Sequence, residues 1–141
     1  MLYYAAITLT ILSSMVYHTL LKLTPSGAHP ALSLAVTYAI AAVVCVGMLL
    51  LMPLRTGVAD ALRQLNWVSY VLGLALVGLE MGFLLSYRSG WRVGIAGVVV
   101  TVTVAILLIP VGLVLFKDKP SLLNVAGVLV AVVGLVMMNA K

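Results

Sequence analysis

The stretch WVSYVLGLALVGLEMGFLLSY, Trp67–Tyr87, is an apolar run long enough to cross the ~30 Å hydrocarbon core of a bilayer as one helix. It also carries the only charged side chain that lies well inside any apolar run of the chain, Glu80. At 1.5 Å per helical residue, Glu80 falls about 4–5 Å beyond the midpoint at Val77. A carboxylate at that depth costs several kcal/mol unless it is protonated, paired or wetted. Gly78 and Gly82 flank it at small-xxx-small spacing, where another helix backbone can approach closely. Gly73, Leu76, Phe83, Leu84 and Tyr87 share its face. Two readings follow: a solute or proton site with Glu80 and Tyr87 at its centre, or a hydrogen-bonded packing residue at a helix contact.

Composition extends this reading to the whole chain. Hydrophobic residues make up 65% of the 141 residues, charged residues 8%, and the mean hydropathy is +1.29. No soluble domain of this size can hide so much apolar surface, so the expectation is an all-α integral membrane bundle in contact with lipid. The net charge of +5 does not indicate a nucleic-acid partner. Each Lys and Arg falls at or near the end of an apolar run, which is interfacial anchoring. With one Cys, two His and three acids, the chain shows no catalytic triad, paired-carboxylate spacing or metal cluster. Neither an enzyme, a cofactor nor a metal is expected.

Five runs reach spanning length, at about 2–22, 31–54, 67–87, 93–116 and 121–139. The first lacks a basic n-region and is expected to remain as a helix, not to act as a cleaved signal. It is the most polar: Ala6, Thr10, Ser14 and His18 follow every four residues, with Ser13 and Tyr17 beside them. This stripe faces protein or water, since lipid offers it no partners. Ser14, Tyr17 and His18 are therefore further candidates for binding substrate or protons, with interfacial or self-bonded side chains as the alternative. Pro25, Gly27 and Pro30 stop the first helix, and Ser33, Thr37 and Ala41 give the second a packing seam. Residues 56–66 form the longest polar connection, either a short interfacial helix or a linker. The connection Tyr87–Arg92 fits a tight turn at headgroup level. Gly90, Gly94 and Gly97 open the fourth helix, and Pro110 deprives the Ile106 carbonyl of its usual partner. Pro120 is placed to start the last helix, in which Gly127, Ala131 and Gly134 form a face suited to helix association.

Five spans put the termini on opposite sides of the membrane. Arg55, Arg63, Lys117 and Lys119 then lie on one side, and Lys22, Arg88, Arg92 and Lys141 on the other. The balance is four to four, so the positive-inside rule gives no orientation. A chain with no bias can insert both ways, and two oppositely inserted copies would form a pseudo-symmetric pair.

The closing stretch Ile109–Met138, IPVGLVLFKDKPSLLNVAGVLVAVVGLVMM, resembles the end of an EamA-type domain of the drug/metabolite transporter superfamily. In that family a helix ends in a short turn with an acidic residue, here Asp118, before a helix with glycines spaced as Gly127 and Gly134 are. The basic residue and prolines of Lys22–Pro30 also sit where such domains carry them. The resemblance implies a single five-helix EamA-like domain over 1–141, half of a ten-helix inverted-repeat transporter, in a bacterial or archaeal cytoplasmic (inner) membrane. It is related to the small multidrug resistance proteins, four-helix antiparallel dimers. These carry their essential glutamate in the first helix, whereas the first helix here has no acid, so Glu80 does not inherit that role by position.

The expected function is a small secondary transporter acting as an antiparallel homodimer with dual topology. It would move a small metabolite or amphipathic cation by proton-linked alternating access. A lipid-carrier flippase subunit and a non-transporting partner subunit are the alternatives.

Overall fold

The computed structural model describes residues 2–52, 54, 56–117 and 121–139. The described residues are helical, with no strand: α1 (Leu2–Leu23), α2 (Pro30–Leu51), α3 (Val58–Arg63), α4 (Trp67–Arg88), α5 (Val93–Val111) and α6 (Leu122–Asn139). Among the described residues four helices are long and apolar enough to cross a membrane, as an integral membrane protein requires: Tyr3–Leu23, Pro30–Leu51, Trp67–Arg88 and Val93–Phe116. The fifth apolar helix, Leu122–Met138, is shorter. The short α3 settles the 56–66 connection as partly helical, with Asp60 and Arg63 paired across one turn at 3.8 Å.

Local chemistry sets the helix ends. Pro30 opens α2 where its missing N–H costs nothing. That helix stops at Leu51, not at 54, because the residue before a proline is pushed out of the helical region. Met52, which precedes Pro53, has φ −125° and ψ 73°. The Asn66 side chain accepts the Val68 N–H at 3.0 Å and caps α4. Gly90 lies outside α5, in the connection before it, where φ 102° calls for glycine. At α6, Ser121 Oγ accepts the Asn124 N–H at 3.2 Å. Pro120 and Asp118 lie outside the described residues.

The helix α5 runs through Pro110 and passes into a wider π turn, Gly112–Phe116. The Lys117 N–H closes that turn on the Gly112 carbonyl, and Lys117 takes the left-handed conformation, φ 55°.

By its contacts the chain divides into two compact units, Leu20–Ser89 on the one hand and Met1–Thr19 with Gly90–Lys141 on the other. In the first, α2 packs on α4, and Leu34, Phe83, Leu84 and Tyr87 are buried. In the second, α5 packs on α6, and Ala96 is buried. Apolar side chains are otherwise largely exposed along the helices, which in a bilayer means contact with lipid or another chain.

Candidate functional site

Glu80 lies past the middle of α4, and the side chain that faces it comes from α2. The Tyr38 hydroxyl is close enough to interact with the Glu80 carboxylate, yet stops short of hydrogen-bond geometry. Tyr38 Oη and Glu80 Oε2 are both buried atoms, and neither makes a hydrogen bond. Leaving such groups unmade costs roughly 1–3 kcal/mol apiece. The two helices thus bring together two buried oxygen atoms that are left without a hydrogen bond. Tyr38 is the only tyrosine of the second apolar run. That was the sole signal in the sequence, and a hydroxyl on an aromatic ring is easily absorbed into an apolar pattern.

Tyr87, two helical turns along the same face, has a different setting. The residue is 3% exposed, and its ring stacks on Phe83 with centroids 5.8 Å apart. The Lys22 ammonium stands 5.8 Å from the ring centroid and donates to the Tyr87 carbonyl at 2.8 Å. A cation at this last turn also complements the negative end of the helix dipole. Beside it, Arg88 Nη2 donates to the carbonyls of Pro25 at 3.0 Å and Ala28 at 2.8 Å. Arg88 therefore holds the first connection against the end of α4. Sequence reading treats Lys22 and Arg88 as interfacial anchors, because a basic residue after an apolar run looks the same in either role.

Ser14, Tyr17 and His18 belong to the other unit. Tyr17 and His18 are half-buried and meet edge to face, centroids 4.9 Å apart at 72°. Tyr17 also lines a shallow groove of about 400 Å³ with Leu12, Ser13 and Val16. Ser14 is exposed. Part of the polar stripe bonds its own helix: Thr10 Oγ1 donates to the Ala6 carbonyl at 3.0 Å. Thr37 does the same in α2, donating to the Ser33 carbonyl at 3.1 Å.

The small-residue seams face open space within the chain. No atom lies within 4 Å of where a Cβ would stand at Gly78, Gly82, Gly127 or Gly134, and Ala131, between the last two, is exposed.

Comparison with protein families, with curated proteins and with solved structures finds no match. The functional reading therefore rests on the residues.

Proposed function

We propose that the chain is a small secondary transporter of the drug/metabolite type. It moves a small metabolite or amphipathic cation by proton-linked alternating access, as a dimer of oppositely inserted copies. The observation that carries this reading is the pair on α4 and α2: one intramembrane carboxylate, Glu80, facing Tyr38, with a buried oxygen on each lacking a hydrogen bond. A carboxyl in such a place binds either a proton or a cation, and alternating access converts that competition into exchange.

The reading takes α6 as a fifth span. Its 18 residues rise about 27 Å, within the lower part of the spanning range, and modest bilayer thinning closes the difference. The bare glycine faces support a second copy as the neighbour, because small residues let helix backbones meet closely in lipid.

The test is reconstitution into liposomes containing a pH-sensitive dye, with a panel of metabolites and organic cations. Solute-driven proton movement in the wild type that is absent in Glu80→Gln supports the reading. Proton-coupled uptake unchanged in Glu80→Gln returns Glu80 to a packing role.

The same bare faces favour one other reading, a non-transporting subunit that binds a different membrane protein. Such a subunit would stay with that protein on purification and show no solute-dependent proton movement.

A further inference from the structure

The buried pair between α2 and α4 also bears on which cation the protein takes. Both unsatisfied atoms, Glu80 Oε2 and Tyr38 Oη, can accept a hydrogen bond. The basic side chains described in the same unit are engaged elsewhere. Lys22 donates to the Tyr87 carbonyl, Arg88 to the carbonyls of Pro25 and Ala28, and Arg63 lies beside Asp60. Lys22 acts two turns away from Glu80, about 10 Å along α4. His29 stands at the N-cap of α2, nine residues before Tyr38 and beyond two turns of helix. From α2 the titratable group that faces Glu80 is Tyr38. Among the described residues of this unit no basic side chain is placed on the pair, so a positive charge with its own donors is left to a guest.

We infer that the site selects a primary ammonium, which donates one N–H to Glu80 Oε2 and a second to Tyr38 Oη. This rests on the transporter reading above and narrows it. An ammonium with two donors satisfies both atoms at once. A quaternary ammonium brings the same charge but no donor, and leaves both atoms unsatisfied in a low-dielectric site. In this scheme Glu80 sets affinity through charge, and Tyr38 is the specificity-determining residue.

The experiment is calorimetric titration of the full chain in lipid nanodiscs with a matched pair of cations, n-butylammonium and n-butyltrimethylammonium. It uses wild type, Glu80→Gln and Tyr38→Phe, each checked for helical content by circular dichroism. Wild type should prefer the primary ammonium by about tenfold or more, the effect of one charge-assisted hydrogen bond. Tyr38→Phe should still bind cations but lose most of that preference, and Glu80→Gln should bind neither. The wild-type preference decides the donor requirement even if a variant fails to fold. Glu80-dependent binding of both cations with equal affinity, unchanged in Tyr38→Phe, overturns the ammonium assignment and leaves the transporter reading standing. Absence of binding of either cation to folded wild-type protein overturns it as well. In that event the dye-coupled assay decides the transporter reading on its own.

Discussion

A carboxylate among apolar helices can be neutral, paired or wetted, and each state needs a partner that compensates the lost hydration. For Glu80 that partner is incomplete, whereas Lys22 and the Nη2 of Arg88 donate to backbone carbonyls. The Arg88 interaction yields a prediction at this scale. Its guanidinium reaches two carbonyls of the first connection from one nitrogen, in a partly exposed setting. Replacing Arg88 with Met should lower stability by about 2 kcal/mol, less than two buried charge-assisted bonds would give. Arg88→Lys should recover only part, since a compact, strongly hydrated ammonium on a flexible stem loses more on being fixed against both carbonyls. Unfolding in sodium dodecyl sulfate, followed by the fluorescence of Trp67 and Trp91, measures both. Equal stability of all three proteins would show that the contact contributes nothing. Glu80 was legible in the sequence because a charge inside an apolar run has no bland pattern to join. Tyr38 and the roles of Lys22 and Arg88 were not, because they depend on which helices meet, and no periodicity encodes that.

Among the helices, the apolar runs and their punctuation carried most of the information. Pro30, Pro53 and the polar connections bracket helices whose ends the sequence places to within a few residues. Capping and backbone conformation were less visible. Asn66 accepts the Val68 N–H, so Asn66→Ala should cost about 1 kcal/mol of α4 stability. Lys117 makes the opposite case. It holds a left-handed backbone that penalises any residue with a Cβ, by roughly 1–2 kcal/mol. Lys117→Gly should therefore stabilise the end of the π turn by about 1 kcal/mol, reduced by the loss of a cation near a helix C-terminus. Opposite shifts of the two variants in the same unfolding assay are the expected outcome, and shifts of one sign would contradict it. The π turn itself could not be foreseen. The sequence marks Pro110 as the disturbance and Ile106 as the carbonyl deprived, while the widened turn begins beyond the proline, at Gly112.

For the molecule as a whole, the sequence leaves orientation open in a way that can be tested. With five spans, four of the eight Lys and Arg fall on each side, so no side is favoured for the cytoplasm. No atom lies within 4 Å of a Cβ position at the glycines of α4 and α6, and oppositely inserted copies would supply neighbours for them. Inverted pairing would give the dimer two copies of Glu80, and where these come close, ionising one would disfavour ionising the other. Because the charge balance is level, one or two added charges should tip it. Lysines placed in the 56–66 connection should draw that side to the cytoplasm, and lysines placed beside Arg88 and Arg92 should do the reverse. The measurement is labelling of single cysteines at each terminus in whole cells, in a background where the exposed Cys45 is replaced. Comparable labelling of both termini from outside, shifted in opposite directions by the two sets of lysines, is the expected result. Labelling of one terminus alone, unmoved by either set, would exclude the antiparallel homodimer, and the faces at Gly78, Gly82, Gly127 and Gly134 would then have to meet lipid, a parallel copy or a different chain.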